Sequence, residues 1–299
     1  MFYKSWMSCI KDDAKITKIA IPGAHNAGTM GMNVFGRCQN GTLYEQACYG
    51  VRKFDIRVQA DRKGRLFIAH GMVRGVLVEK VFADIKRILD ETDEFLILDI
   101  KTYGSQDIGP ITIKFKGSSE AMNKLICKYL SPEKYALTEF ADIRNVTMGD
   151  VRKSGKRYVI HSENEEYKYS RNCKLIEPWD PIVFGYKPEK FAKECLKYLR
   201  ELESEGFFRF QTQQTPGLGT ENGLTKWPKH LDEMSRPYFP QIIADIAEDP
   251  KMLEKVNIIS GDFMTRDYMK ANEILKLNLL KGIVKDDKIE EYQSAIKFK

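Results

Sequence analysis

The sequence predicts an α/β fold in which βα units form one barrel. Strand-length apolar runs alternate with helical patterns along the whole chain, and few hairpin signals separate the strands. The 299 residues are close to the roughly 250 of an eight-stranded α/β barrel. No Gly-x-Gly-x-x-Gly follows the first strand and no Gly-Lys-Ser/Thr loop occurs, so a barrel is preferred to an open nucleotide-binding sheet.

Each element is predicted from a local pattern. Residues 76–89 place apolar side chains at 78, 81, 82, 85, 88 and 89, the spacing of a helix with one buried face. Further helices are predicted at residues 43–49, 119–130, 189–205, 240–247 and 268–280. Strands are predicted at residues 18–21, 51–58, 66–69, 95–100, 158–160, 182–184, 207–211 and 256–259. Residues 104–117 and 211–237 are predicted to be long loops, and we expect a single domain over residues 1–299.

Composition limits the class of partner. The net charge of +6 at neutral pH favours an anionic partner, which leaves nucleic acid, an acidic membrane surface or a phosphorylated substrate open. No apolar run approaches the roughly 18 residues of a membrane helix. The first residues lack the pattern of a secretory signal, and the six scattered cysteines include no Cys-x-x-Cys pair. These features predict reduced thiols and a cytoplasmic or peripheral membrane location.

Two histidines and one arginine follow or end predicted strands. His25 follows the first strand, and His70 follows the strand at residues 66–69. Arg57 lies near the end of the strand at residues 51–58. If these strands are parallel, their carboxyl ends meet at one face of the barrel, so we expect the three side chains to converge. His161 and His230 do not fit this group: His161 follows a predicted strand, which leaves a structural role and a place in the barrel mouth both open, and His230 is expected in an exposed loop.

This trio suits displacement at phosphorus. One histidine can be neutral and the other protonated near neutral pH, which supplies a base for an attacking hydroxyl and an acid for the departing oxygen. An arginine can hold a phosphate through two hydrogen bonds and stabilise the transition-state charge. A metal site is the competing interpretation, but it needs further convergent ligands and Arg57 is a poor neighbour for a cation.

Four separated motifs occur in a characteristic order. They are Trp6-Met7, IPGAHNAGT at residues 21–29, GVRKFDIR at residues 50–57, and His70-Gly71. Together they resemble the X domain of phosphatidylinositol-specific phospholipases C, above all the small metal-independent bacterial enzymes. HNAGT at residues 25–29 and GRCQN at residues 36–40 are similar to the glycosylphosphatidylinositol-specific phospholipase C of trypanosomes. The similarity covers roughly residues 5–101 and returns near residues 256–262.

The resemblance implies a distorted TIM barrel and a two-step reaction. His25 matches the general base that takes the proton of the inositol 2-hydroxyl, whose oxygen attacks the adjacent phosphate to form a 1,2-cyclic phosphate and release diacylglycerol. His70 matches the general acid for the glycerol oxygen, which then acts as base when the cyclic phosphate is hydrolysed. Arg57 matches the phosphate-binding arginine, and Asp262 matches the carboxylate that orients the first histidine.

The resemblance also assigns substrate-binding residues and argues against a metal. Lys101 matches a lysine of the bacterial pocket, and Asp55, two residues before Arg57, is expected to support it from the same face of the strand. The calcium-dependent relatives have carboxylates where Arg57 and Lys101 stand, so no metal and no other cofactor is expected. Asn26 departs from the bacterial pattern, in which an aspartate at that place partners the general acid. The calcium-dependent enzymes use an asparagine there as a ligand.

The sequence therefore predicts a phosphodiester-cleaving enzyme that acts on phosphatidylinositol or a glycosylated derivative. Its expected partners are that lipid and, transiently, the membrane surface; nucleic acid is not expected, and the enzyme is expected to be a monomer. Two alternatives stay open. Asn26 is compatible with a catalytically weak module that binds inositol phosphate, and the barrel alone is compatible with a metal-dependent glycerophosphodiesterase, which needs a cluster of inward carboxylates.

Overall fold

The computed structural model describes residues 2–108, 111–114, 119–162, 167–173, 187–203, 206–215 and 226–297. The strands are β1 (Ile21–Ala24), β2 (Lys53–Ala60), β3 (Leu66–His70), β4 (Val73–Leu77), β5 (Leu96–Thr102), β6 (Ser105–Ile108), β7 (Ile111–Lys114), β8 (Tyr158–His161), β9 (Ser170–Arg171), β10 (Arg209–Gln211) and β11 (Ile258–Gly261). The helices are α1 (Leu43–Cys48), α2 (Val78–Glu91), α3 (Ser119–Leu130), α4 (Pro132–Tyr135), α5 (Met148–Ser154), α6 (Pro188–Glu201), α7 (Pro228–Ser235), α8 (Phe239–Glu248), α9 (Pro250–Lys255), α10 (Met269–Leu280) and α11 (Ile289–Lys297).

The main sheet is parallel and curled. Its strands follow the order β10-β11-β1-β2-β5-β8-β9, and every neighbouring pair on this path is parallel. Helices connect successive parallel strands, as α2 connects the β2–β4 segment to β5. The predicted α/β class is confirmed. Because the carboxyl ends of parallel strands meet at one edge, the residues that follow β1 and β11 are brought side by side.

A hairpin departs from the predicted parallel pattern. β3 pairs antiparallel with β2, and β4 pairs antiparallel with β3. The prediction that the strand before His70 runs parallel to its neighbour is therefore wrong. β2 is eight residues long and extends beyond β1, which spans four, so the chain can turn back at residues 61–65 and pair with it. Gly71, directly after His70, has a positive φ of 57° that permits the tight turn into β4.

Side chains alternate between the two faces of the barrel strands. On β2, Phe54, Ile56 and Val58 belong to the apolar core beneath the helices, together with Phe82 and Ile85 of α2. The intervening positions of β2 carry charged or polar side chains and point to the other face, into the barrel. Apolar side chains thus attach the helices to the outside of the sheet, and charged side chains are left for the interior.

A second apolar cluster closes the barrel at the amino ends of its strands. Inward residues Ile21, Ile97 and Ile258 pack there with Trp6 and Ile10 of the N-terminal segment. Trp6 is fully buried, and its Nε1 donates to the carbonyl of Gly50 at 2.9 Å. The end opposite the strand carboxyl termini is therefore sealed by packing, and any ligand must enter from the other end.

Several element boundaries differ from the sequence predictions. The predicted first strand at residues 18–21 is a 3₁₀ turn at Ile16–Lys18 followed by β1, because Pro22 and Gly23 continue the strand instead of ending it. The predicted loop at residues 104–117 contains the antiparallel hairpin β6–β7, and the one at residues 211–237 contains α7. The strand predicted at residues 182–184 lies outside the described residues.

Candidate active site

His25 lies where β1 and β11 end next to each other. Its backbone N–H donates to the carbonyl of Gly261 at 3.1 Å, and the side-chain amide of Gln39 bridges the carbonyls of His25 and Gly261. Asp262 is the first residue after β11, and its Oδ1 lies 2.7 Å from His25 Nδ1. Asn26 Nδ2 is 3.0 Å from His25 Nε2. Since an amide N–H can only donate, Nε2 accepts and Nδ1 carries the proton that is donated to Asp262.

The hairpin returns His70 to the same site. Val58 of β2 pairs with Ile68 of β3, so His70, two residues further on, comes back towards the level of Arg57. The ring centroids of His25 and His70 lie 6.2 Å apart with the rings nearly perpendicular. The convergence predicted from parallel strands is thus present, but a long strand and its antiparallel partner produce it.

A backbone carbonyl orients His70. Its Nδ1 lies 2.9 Å from the carbonyl oxygen of Gly36, which can only accept, so Nδ1 carries a proton and Nε2 is left for the proton transferred in a reaction. The side-chain amide of Asn26 is directed at His25 Nε2 and Cys38 Sγ, the latter at 3.5 Å, and not at Nε2 of His70. Asn26 itself adopts a left-handed conformation with φ of 46°, which asparagine tolerates better than most residues.

Arg57 is held rigidly by Asp55, as predicted from their i, i+2 spacing. Arg57 Nε lies 3.1 Å from both carboxylate oxygens of Asp55, and Nη2 lies 2.9 Å from Oδ2. The same carboxylate accepts the backbone N–H of Asn26 at 3.2 Å, which connects the arginine to the segment that carries His25. Lys101 pairs in register with Arg57 on the neighbouring strand, so both side chains emerge on the same face. Its side chain is half-buried.

A charged network behind Arg57 is not predicted from the sequence. Arg209 of β10 crosses the barrel interior and places Nη1 3.0 Å from Asp55 Oδ2 and 3.4 Å from Asp99 Oδ2. Lys53 Nζ lies 2.8 Å from the same oxygen of Asp99. All four side chains are fully buried. The available signal is a lone arginine in the apolar run at residues 207–210, since a charge in a buried strand needs a partner.

Burial and neighbouring charges shift the pKa values of the site. Burial, with the positive charge of Arg57 second, lowers the pKa of His25 well below its usual value. Burial also lowers the pKa of His70, although the Gly36 carbonyl opposes this, and raises that of Asp262. Although burial alone would raise the pKa of Asp55, the charges of Arg57 and Arg209 hold it well below its usual range. The resting site therefore favours neutral imidazoles beside a permanently charged arginine.

The two remaining histidines belong to other elements, β8 and α7. His161 is buried, and its Nδ1 accepts the backbone N–H of Cys173 at 3.2 Å. His230 is exposed, but it lies in the helix α7 and not in the predicted loop; its ring packs 5.1 Å from that of Trp227.

Comparison with known proteins supports the family resemblance. Residues 13–108 match the family model described as phosphatidylinositol-specific phospholipase C, X domain. The predicted resemblance to the phosphatidylinositol-specific phospholipases C is confirmed. A 1-phosphatidylinositol phosphodiesterase of Staphylococcus aureus is 35% identical over 23% of this chain and 24% of its own length. The variant-surface-glycoprotein phospholipase C of Trypanosoma brucei brucei is 26% identical over 32% of this chain and 38% of its own.

Solved phospholipase C structures share the fold over most of the chain. The phosphatidylinositol-specific phospholipase C of Listeria monocytogenes superposes with a TM-score of 0.64 at 17% identity, covering 92% of this chain and 98% of its own. One from S. aureus gives 0.60 at 17% identity, with coverage of 87% and 91%. This likeness confirms the predicted distorted TIM-type barrel. The chain spans about a quarter of the length of the first curated phospholipase C relatives it matches, so sequence similarity is concentrated in the X-domain segment.

Proposed function

We propose that this protein is a phospholipase C that cleaves phosphatidylinositol or a glycosylated derivative. The observation that carries the proposal is the pairing of His25, oriented by Asp262, with His70 at a centroid separation of 6.2 Å beside Arg57. The Asp55 carboxylate that pairs with Arg57 also accepts the backbone N–H of Asn26 at 3.2 Å, so the guanidinium is held beside the segment that carries His25. A phosphate held there would lie between a base and an acid. The curated relatives named for phosphodiesterase or phospholipase C action support the same substrate class.

In the first step His25 acts as base and His70 as acid. Nε2 of His25 takes the proton of the inositol 2-hydroxyl, and the oxygen forms a bond to the adjacent phosphorus. The bond from phosphorus to the glycerol oxygen breaks, and Nε2 of protonated His70 donates its proton to that oxygen. Diacylglycerol leaves, and inositol 1,2-cyclic phosphate remains. Asp262 stabilises the His25 imidazolium, while Arg57 and Lys101 balance the negative charge that grows on the phosphate oxygens.

The second step reverses the two roles. His70, now neutral, removes a proton from water as the water oxygen attacks the phosphorus of the cyclic phosphate. The bond from phosphorus to the inositol 2-oxygen breaks, and protonated His25 returns its proton to that oxygen. The products are inositol 1-phosphate and an enzyme restored to its starting protonation state. Because Arg57 is fixed by a two-pronged pair with Asp55, it can hold the phosphate in one orientation through both steps.

We further propose that the rim beside His70 contacts the membrane. The described residues expose four large apolar side chains, and three of them adjoin the segments that carry His70 and Gly36: Val34, Phe35 and Met72. Phe35 is 59% exposed and packs edge-on against Trp227 at 5.1 Å. An apolar patch next to the entrance of a lipid-cleaving site suits the insertion of a few side chains into the bilayer interface. Among the described residues, no helix has the length and apolar character to span a bilayer.

One contact favours a second candidate, a weakly active module that binds inositol phosphate. The Asn26 amide donates to the nitrogen of His25 that must accept the substrate proton. Catalysis therefore requires this amide to move or turn over when substrate binds. The third candidate, a metal-dependent glycerophosphodiesterase, is less compatible with the site, because the inward carboxylates Asp55 and Asp99 are paired with Arg57, Arg209 and Lys53.

Phosphorus NMR on vesicles distinguishes these functions. We expect inositol 1,2-cyclic phosphate to form first from phosphatidylinositol or a glycosylated anchor lipid, and to form equally in excess chelator. Binding of inositol phosphate without turnover would favour the second candidate. Turnover that disappears in chelator and returns with calcium would contradict the proposed chemistry.

A further inference from the structure

Cys38 lies inside the site but has no part in the proposed reaction. Its thiol is 1% exposed, 3.5 Å from Asn26 Nδ2 and 3.6 Å from His70 Nδ1. Its backbone fixes it there: Cys38 N–H donates to Thr29 Oγ1 at 3.0 Å, and its carbonyl accepts the N–H of Phe263 at 2.8 Å. The second contact anchors the Cys38 segment to the loop that carries Asp262.

Three different metal-ligating groups meet at this point. One ligand atom each from His25, Cys38 and Asp262 lies within 4.8 Å of the others, and all three residues are buried. An imidazole nitrogen, a thiol sulfur and a carboxylate oxygen form a donor set that suits Zn²⁺ and disfavours Ca²⁺, which takes six to eight oxygen ligands. A second observation also indicates a ligand: Asn26 Oδ1 is buried and has no hydrogen-bond partner among the described residues.

We propose that His25, Cys38 and Asp262 form an inhibitory binding site for a soft divalent cation such as Zn²⁺ or Cd²⁺. Binding replaces the thiol proton of Cys38, which is released to solvent, so one proton leaves for each ion bound. The two charges of the ion are balanced by one thiolate and one carboxylate. The neighbouring positive charges have their own carboxylate partners: Arg57 is paired with Asp55, and Lys270, whose Nζ donates to the carbonyl of Asp262, is paired with Asp232. Three protein ligands leave a fourth position for water or the Asn26 oxygen.

Such an ion would stop catalysis by occupying the base. A metal bound to His25 either takes up the lone pair of Nε2 or binds Nδ1 while the Nδ1 proton moves to Nε2, and in both cases Nε2 can no longer accept the proton of the inositol hydroxyl. The site is inhibitory and not a resident cofactor site, so it is consistent with full activity in chelator. The binding half of the inference stands on geometry alone, and only the inhibitory half rests on the proposed phospholipase function.

Calorimetric titration of the chelator-treated full chain with ZnCl₂ tests the binding half. We expect one tight site for Zn²⁺, release of one proton per ion measured in buffers of different ionisation enthalpy, and no binding of CaCl₂. Cys38→Ser should weaken binding at least about 100-fold, since changes outside the ligand set already cost 10- to 100-fold. Cys127→Ser is the matched control, because Cys127 is exposed on α3 and its loss should leave the affinity unchanged.

Activity on phosphatidylinositol vesicles tests the inhibitory half. Zn²⁺ should inhibit the parent and Cys127→Ser at equal concentrations, whereas Cys38→Ser should keep its activity in Zn²⁺. Equal zinc affinity in the parent and Cys38→Ser would overturn the inference, and so would a parent that binds no zinc. If Cys38→Ser does not fold, anomalous diffraction at the zinc edge from parent crystals decides, with an ion about 2.3 Å from Cys38 Sγ expected. If the parent cleaves no lipid, the calorimetric result still stands, and the proposed function alone is rejected.

Discussion

The two histidines differ in how strongly their surroundings oppose a charge. His25 is completely enclosed and next to Arg57, so its pKa lies well below the usual histidine value. Burial also lowers the pKa of His70, but the hydrogen bond to the Gly36 carbonyl opposes that shift. Between the two pKa values, His25 is neutral while His70 is protonated, which is the combination the first step requires. In the proposed mechanism, this difference in environment supports His25 as the base and His70 as the acid.

This order of pKa values sets the pH dependence. Activity needs His25 deprotonated, so it rises above the lower pKa, and needs His70 protonated, so it falls above the higher one. Because both are lowered, we expect the bell-shaped profile of kcat/KM for cyclic phosphate formation to have its maximum below pH ~6.5. Measurement of kcat/KM on a soluble substrate from pH 4 to 8 checks this, and an optimum above pH 7 would contradict the assignment.

Replacing each histidine separates the two roles. We expect His25→Ala and His70→Ala each to reduce cleavage of phosphatidylinositol at least about 100-fold, the scale of general acid–base catalysis. A substrate with a phenol leaving group of low pKa needs no acid, so it should restore much of the rate to His70→Ala but not to His25→Ala. Equal recovery in both variants would show that His70 is not the acid. Circular dichroism confirms that each variant is folded.

At the scale of elements, the long strand β2 organises the site. Its inward positions supply Asp55 and Arg57, and its extension beyond β1 provides the partner that brings His70 back. The convergence of His25, Arg57 and His70 could be predicted from their positions at strand ends, but the antiparallel turn could not, because strand direction is set by pairing across the sheet. The contacts of Gly36 with His70 and of Arg209 with Asp55 join residues far apart in sequence, and no local pattern indicates them.

Arg209 links β10 to β2 and β5 and should stabilise the barrel. We expect Arg209→Met to lower the free energy of unfolding by about 3 kcal/mol, because it leaves buried Asp55 and Asp99 with fewer partners. Arg65→Met is the matched control: it breaks a pair with Asp61 in which the arginine side chain is 58% exposed, and should cost at most about 1 kcal/mol. Urea denaturation of both variants measures the difference, and equal losses would contradict it.

Across the whole molecule, the two ends of the barrel differ in the side chains that they carry. The amino ends of the strands are packed with apolar residues around Trp6, and the carboxyl ends carry the charged site and the exposed rim. The fold class and the polarity of these ends follow from the alternation of strands and helices, which is why they could be predicted. The organisation as one domain stays a prediction. Residues 174–186 lie outside the described residues.

A pair of substitutions tests whether the exposed rim contacts the membrane. Phe35→Ser should reduce vesicle binding and activity on vesicles several-fold and leave kcat/KM on a soluble substrate unchanged. Leu280→Ser is the matched control, because Leu280 is equally exposed at 59% but ends α10 next to Lys281, whose Nζ contacts the carbonyl of Lys18, which precedes β1. Its loss should affect neither assay. Equal effects of the two changes would contradict a membrane-facing mouth.

In the loop between β1 and α1, an exposed apolar residue is followed directly by a residue that contacts the site. Phe35 presents its ring to the outside, and the carbonyl of Gly36 holds Nδ1 of His70. A single peptide bond therefore separates an exposed ring from the residue whose carbonyl orients His70. If Phe35 enters a bilayer as proposed, we expect the position of its ring and the orientation of the His70 imidazole to be coupled.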